Sequence, residues 1–210
     1  MKTELRSVKP GEIEAESFRI IEQELGDHAF DPQTFAVVRR VIHATGDFGF
    51  ADHLRFGNQA VRAGIAAIRA GRNILTDVNM VAAGINKTAL AAFGGRVICK
   101  LADPGVAAAA AESGRTRSEV AIEQGLAENI GIVAIGNAPT ALLKVMELIG
   151  RSAAGPDLVV GVPVGFVNAA ESKEILSRQD YPLITVLGRK GGSPVAAAIV
   201  NALSRLAREE

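Results

Sequence analysis

The sequence predicts a doubly wound α/β fold built on a parallel sheet of about five strands, preceded by extra helices at the amino end. Three observations lead there. Apolar runs at 74–76, 97–99, 132–135, 158–161 and 183–187 are continuous rather than alternating, as strands buried on both faces are. Stretches with helical start and stop signals separate these runs. Strands alternating with helices give parallel sheets with right-handed crossovers, and such sheets bind ligands beyond the carboxyl ends of their strands.

Each element has its own signal. Residues 12–25 read as a helix with Phe18, Ile21 and Leu25 on one stripe. Asp31 and Pro32 open a second helix, Asp as cap and Pro in the first turn. It runs to about Ala44 and stops near Gly46. A third amphipathic stretch, 58–70, ends at Gly71. Later helices start at Thr116-x-x-Glu119 and Asn168-x-x-Glu171, which resemble capping boxes, and at Ser193-Pro194, a cap followed by a first-turn proline.

The chain has 210 residues, which suits a single domain over 1–210 with a sizeable core. Hydrophobic residues make up 48% and charged residues 22%, an ordinary globular composition. Lys plus Arg equals Asp plus Glu at 23 each, which argues against an electrostatic grip on nucleic acid or an anionic membrane. Anionic ligands must then meet local clusters. The one cysteine, Cys99, excludes an intrachain disulfide and reads as a core residue. The first six residues lack the apolar region of a signal peptide, and no run of about 18 uncharged apolar residues suggests a membrane span. The cytoplasm is the expected compartment. No CxxC and no histidine pair at ligand spacing is present, so a zinc site built from the protein is not expected.

His43 lies near the end of the second helix, with Arg40 and Arg39 three and four residues before it on the same face. Neighbouring cations and burial both disfavour the imidazolium, so such a histidine could exchange a proton near neutrality. Its other reading is a helix-end histidine facing the last carbonyls. His28, in a polar turn, reads as solvated, and His53 sits beside acids and apolar groups. Gly188-Arg-Lys-Gly-Gly-Ser193 follows the last strand. It is either an anion-holding loop with Arg189 and Lys190, or a glycine-rich turn with a serine cap. It matches neither a P-loop nor a dinucleotide fingerprint. Arg115 and Arg117 open a helix, where cations oppose the helix dipole and invite an external anion. Asn137 follows a strand and could donate to a ligand. Met80 and Phe166 would ordinarily be core, but in a site could cover an apolar ring.

Six blocks then stand in order: Val41-Ile-His-Ala-Thr-Gly-Asp47, Thr76-Asp-Val-Asn-Met-Val81, Thr116-Arg-Ser118, Ile135-Gly-Asn-Ala-Pro-Thr-Ala-Leu142, Gly161-Val-Pro-Val-Gly-Phe-Val-Asn-Ala-Ala-Glu-Ser-Lys173 and Gly188-Arg-Lys-Gly-Gly-Ser193. Over nearly the whole chain they resemble the signature blocks of precorrin-8X methylmutases. The 48–56 stretch and the block from Thr76 look closer to the branch acting on cobalt-precorrin-8. The resemblance implies a three-layer, flavodoxin-like fold and an isomerase that moves a methyl group from carbon 11 to carbon 12 of a corrin precursor. The product is hydrogenobyrinate or, with cobalt, cobyrinate. No cofactor is implied, and any cobalt belongs to the substrate. The resemblance places the catalytic histidine at His43. Ser17 and Arg40 fall at the front of the site, and Thr45, Arg117, Ser118, Asn137 and Ser172 in blocks around the macrocycle. Arg189 and Lys190, in a loop that varies within the family, are assigned to substrate carboxylates. Implied partners are the tetrapyrrole, a second copy in a homodimer, and neighbouring pathway enzymes for handover. A non-catalytic corrin carrier and a nucleotide-binding module are the competing readings.

Overall fold

The computed structural model describes residues 7–151 and 155–209; the expectation drawn from the first six residues falls on a segment outside the described residues. After a 3-10 turn at Pro10–Glu12, helix α1 spans Ile13–Leu25 and buries Phe18 and Ile21. Helix α2, Pro32–Thr45, starts where Asp31 accepts from the backbone N–H groups of Gln33 and Thr34 at 3.0 Å each. It ends where Gly46 takes the left-handed conformation and its N–H returns to the Ile42 carbonyl at 2.7 Å. The remaining elements are α3 (Phe50–His53), β1 (Leu54–Gly57), α4 (Ala60–Arg69), β2 (Asn73–Thr76), α5 (Asn79–Gly84), α6 (Lys87–Ala91), β3 (Val97–Ile98) and α7 (Pro104–Ser113). They continue with α8 (Arg117–Gly125), β4 (Ile130–Ile135), α9 (Pro139–Arg151), β5 (Leu158–Gly161), α10 (Ala169–Ser177), β6 (Leu183–Val186) and α11 (Ser193–Glu209).

The six strands form one sheet in the order β1-β6-β5-β4-β2-β3. All neighbours are parallel except β1, which runs antiparallel to β6 with Leu54 opposite Val186 and Gly57 opposite Leu183. The five parallel strands are the expected ones, and β1 is the addition. Its sequence carries an exposed arginine, Arg55, because an edge strand has a solvated side and needs no continuous apolar run.

Alternate residues along the buried strands feed two opposite cores. Ile74, Ile132, Ala134, Leu158, Val160 and Ile184 pack with α1, α2, α4, α5 and α11, while Leu75, Val133, Ile135, Val159 and Leu183 pack with α8, α9 and α10. The fold is thus three-layered.

Three local expectations need correction. Asn168 caps nothing with its side chain, because its φ of 59° is left-handed rather than the extended geometry a capping side chain needs. Ser193 is the first residue of α11 rather than the residue before it. Cys99 follows a two-residue strand and is half-buried, outside both cores. The Thr116 capping box is present, with reciprocal bonds between Thr116 and Glu119.

Candidate active site

At the carboxyl end of the sheet, five connections converge. The end of α2 meets the loop after β6 through Lys190, whose ammonium lies 2.5 Å from the Asp47 carboxylate. The same loop is tied to α3 by the Leu187 N–H donating to the His53 carbonyl at 2.9 Å. It is tied to the loop after β5 by Gly165 N–H to the Arg189 carbonyl, 3.2 Å, and Gly192 N–H to the Val162 carbonyl, 2.8 Å. The turn after β4 abuts the start of α11, since a Cβ added to Gly136 would lie 2.8 Å from the Ser193 Cα.

The turn after β2 supplies a buried carboxylate. Asp77 is fully buried, and its oxygens accept from the backbone N–H groups of Gly136, Asn137 and Ala138 at 3.0, 2.8 and 2.8 Å. Burial pushes its pKa up and the three N–H bonds pull it down, with burial the larger cause. Strands β2 and β4 are neighbours whose following helices pack on opposite faces, so this is the topological switch point of the sheet. In nucleotide-binding relatives of this architecture an anion sits at such a helix start. Here the chain's own carboxylate fills it.

His43 stands in the last turn of α2 and is exposed. Its ring meets Phe18 edge-on, 5.4 Å between centroids. The guanidinium of Arg39 lies 4.2 Å and that of Arg40 4.8 Å from the centre of the same Phe18 ring. Both are neutralised by glutamates: Arg39 pairs with Glu22, and Arg40 with Glu14 at 2.7 Å. Arg40 also lines a cleft of about 560 Å³ with Glu14, Asn201 and Arg205. Thr45 Oγ1 donates to the Val41 carbonyl at 2.8 Å, and Ser17 Oγ to the Ile13 carbonyl at 2.8 Å, each within its own helix.

Met80 and Phe166 are exposed by 70% and 83%, so neither is core; Val164 and Val167 on the same loop as Phe166 are exposed too. The Arg189 guanidinium sits 5.3 Å from the Phe166 ring centre. Arg117 is exposed at the start of α8. A contact of 3.3 Å between the hydroxyls of Thr116 and Thr140 sets that start beside the start of α9, near Asn137. Arg115, by contrast, is paired with Glu123 at 2.6 Å. The structure therefore gathers Asp47, Phe166, Arg189 and Lys190 closely. A second group, Arg117, Ser118 and Asn137, stands at two adjacent helix starts.

Elsewhere, an open cleft of about 890 Å³ lined by Asn58, Gln59 and Arg62 lies toward the amino end of the sheet, away from these loops. Among the described residues no group of three or more His, Cys, Asp or Glu side chains is placed to hold a metal ion. None of the described helices is long and apolar enough to cross a membrane.

A family model described as Precorrin-8X methylmutase matches residues 12–206. The chain belongs to that family. The cobalt-precorrin-8 methylmutase of Priestia megaterium is 45% identical over 202 residues, covering 96% of this chain and 90% of the relative. The precorrin-8X methylmutase of Pseudomonas aeruginosa is 49% identical over 168 residues, covering 79% and 80%. A crystal structure of the precorrin-8X methylmutase from Thermus thermophilus superposes with a TM-score of 0.86 at 48% identity, over 94% of this chain and 96% of that one. Methylmutases are isomerases, and this chain is an isomerase of that family.

Among the methylmutase blocks, that of 161–173 ends inside the fold rather than at its surface. Ser172 is 1% exposed, and its hydroxyl donates to the Ala169 carbonyl at 3.1 Å. Lys173 is fully buried, and its ammonium donates to the Lys190 carbonyl at 2.5 Å. Burial pulls the Lys173 pKa down to about 8. Sequence reading gave no role to Asp77 or Lys173. A signal for each was present: an acid directly after a buried strand, and a lysine on the helical stripe shared by Ala169 and Leu176.

Proposed function

We propose that this enzyme moves a methyl group from carbon 11 to carbon 12 of precorrin-8X or cobalt-precorrin-8, giving hydrogenobyrinate or cobyrinate, with His43 as general acid/base. Relatives named for the cobalt form and for precorrin-8X match 96% and 79% of the chain, which supports both forms as candidates. The observation that carries the reading is the placement of His43. It is an exposed imidazole at the end of α2, four residues before the Asp47 that holds the last loop and its two cations.

The chemistry asks little of the protein. The bond from the methyl to carbon 11 breaks as the bond to carbon 12 forms, so atoms balance without a methyl donor. Protonation of ring C, at its nitrogen or an adjacent carbon, draws the migration toward the conjugated product. One acid within hydrogen-bond reach can supply that proton, and its conjugate base takes a proton back once the methyl has moved, so the isomerisation is proton-neutral. The rest is orientation of a large ring that carries carboxylates around an apolar macrocycle. Arg117, Arg189, Lys190, Ser118 and Asn137 are suited to the carboxylates, and Met80 and Phe166 to the ring face. Thr45, Ser17 and Arg40 flank His43 in this reading, and Ser172 supports the site from inside α10. No cofactor held by the protein is needed; cobalt, where present, is part of the substrate.

The reading extends to the assembly. A homodimer with the ring near its interface would cover Met80, Val164, Phe166 and Val167, apolar side chains exposed in the segments that follow β2 and β5. Handover of product to neighbouring pathway enzymes in the cytoplasm belongs to the same reading. A nucleotide-binding role is disfavoured by Asp77, whose carboxylate occupies the switch-point anion position.

The test is spectroscopic. The purified protein is mixed with precorrin-8X or its cobalt form without S-adenosylmethionine, and the absorption spectrum is followed. Conversion to the corrin product supports the reading. Binding without conversion would indicate a carrier, and turnover that requires an added methyl donor would sink the intramolecular assignment.

A further inference from the structure

Among the described residues Lys173 is the bulkiest fully buried side chain, at 0% exposure. It lies on the inward stripe of α10 with Ala169, Ser172 and Leu176. A leucine or methionine would fill such a position without desolvating an amine. What the amine adds is a donor for the Lys190 carbonyl, 2.5 Å away.

That bond is one of three that tie residues 189–192 of the loop after β6 to the β5–α10 segment. The Arg189 carbonyl accepts from Gly165 N–H at 3.2 Å, the Lys190 carbonyl accepts from Lys173, and Gly192 N–H donates to the Val162 carbonyl at 2.8 Å. Gly191 packs so tightly that an added Cβ would lie 2.2 Å from the Val162 oxygen. With successive backbone groups held from below, the Arg189 side chain lies against Phe166 and the Lys190 side chain reaches Asp47.

We infer that Lys173 is a positioning residue whose buried ammonium anchors the 188–192 loop and so aims the side chains of Arg189 and Lys190 at the site face. The anchoring stands on geometry alone; its consequence for substrate rests on the proposed reading that these two cations meet ring carboxylates. Losing the donor leaves the part-buried Lys190 carbonyl without this partner, which releases the loop rather than the fold.

The experiment compares Lys173→Met with Leu176→Ala, a core variant on the same helix. Hydrogen exchange of residues 188–192 is read alongside KM and kcat. Lys173→Met is expected to expose the loop amides to exchange and to raise KM about tenfold, with kcat much less affected. Leu176→Ala is expected to lower the thermal midpoint while leaving loop exchange and KM near wild type. Unchanged loop exchange in folded Lys173→Met, or an equal rise in Leu176→Ala, would overturn the inference. Faster loop exchange with an unchanged KM would uphold the anchor and overturn the carboxylate role of Arg189 and Lys190. If Lys173→Met does not fold, Lys173→Arg keeps a cationic donor and is expected to fold with a protected loop. A folded Arg variant with an unprotected loop would equally overturn the inference.

Discussion

The Lys190 ammonium and the Asp47 carboxylate meet at 2.5 Å although 143 positions separate them in sequence. The contact joins the last loop of the sheet to the end of the helix that carries His43. Asp47 also accepts from Gly49 N–H at 2.9 Å, so one carboxylate serves both the α2–α3 turn and the loop. The Lys190 ammonium beside it, with the Gly49 N–H, holds its carboxyl below the usual range. Both partners are well exposed, and exposed pairs add little to stability.

The first prediction follows from that exposure. Lys190→Met is expected to leave the thermal midpoint almost unchanged while weakening binding of the corrin product about tenfold. Calorimetric titration of product against the folded variant checks it. Binding at wild-type strength would confine Lys190 to its pairing with Asp47.

The second concerns the switch point. Asp77→Asn keeps the size but replaces one accepting oxygen with a donor, leaving at least one of three backbone N–H groups unpaired in a buried place. A loss of about 1–3 kcal/mol in unfolding free energy is expected from urea denaturation. An Asn variant as stable as wild type would show that the carboxylate is not needed to hold the start of α9.

Much of this arrangement was legible from residues, and the failures are physical. α1 announced itself by its apolar stripe, with Phe18 and Ile21 buried, and α2 because its boundaries are set locally, by Asp31 and Gly46. Four of the five parallel strands, β2, β4, β5 and β6, did so because burial on both faces forces continuous apolar runs, while β3 lies at the other edge and is only half-buried. β1 did not, since Arg55 points to solvent on an edge. Asn168 looked like a cap by spacing, but its backbone is left-handed and its side chain caps nothing. His43 stands near the end of a helix whose inward stripe is Val37, Val38, Val41 and Ile42, which leaves position 43 facing out. The Asp47–Lys190 contact could not be read at all, because it depends on β1 bending back along β6. Asp77 and Lys173 were hidden for the same reason: their partners are backbone groups of other loops, which carry no sequence signature.

The third prediction is a pH dependence. The carboxylate of Glu14 meets Arg40 at 2.7 Å and Arg205 at 2.5 Å. Its hydrogen bond from Arg40, against some desolvation, and then the bond from Arg205, lower its pKa from the usual 4.5 to about 2. A depressed folded pKa means that the unfolded chain binds the proton more readily. The contribution is therefore fully present above about 4.5 and is lost as pH falls toward about 2. Glu14→Gln should lower the thermal midpoint at neutral pH and converge with wild type near pH 2. Partial exposure keeps the difference small. Parallel curves with a constant gap down to that pH would rule Glu14 out as a source of acid sensitivity.

The fourth concerns the second basic group. Arg117 carries no ion pair among the described residues, unlike Arg115, and stands where an external anion is favoured by the start of α8. Arg117→Ala should weaken ring binding by about 1.5–3 kcal/mol, roughly ten- to a hundredfold, with the fold intact. Unchanged affinity in the folded variant would remove Arg117 from the site.

The last prediction bears on the reaction itself. His43→Ala should bind product nearly as wild type does and lose most of the methyl shift. The imidazole is exposed, and its visible anchor is the edge of Phe18, so its removal leaves no cavity in the core and no buried partner stranded. A general acid contributes about a hundred- to ten-thousandfold to rate, and the loss in single-turnover conversion should fall in that range. Binding spreads over a wide carboxylate-rich ring and should depend little on one imidazole. His43→Asn sharpens the comparison, because it keeps a hydrogen-bond donor at the same place but has no imidazolium proton to give. If orientation alone drives the rearrangement, Asn will restore the rate that Ala loses. If proton donation drives it, both variants will stay slow while still taking up the ring, and only the second outcome is compatible with His43 as the acid.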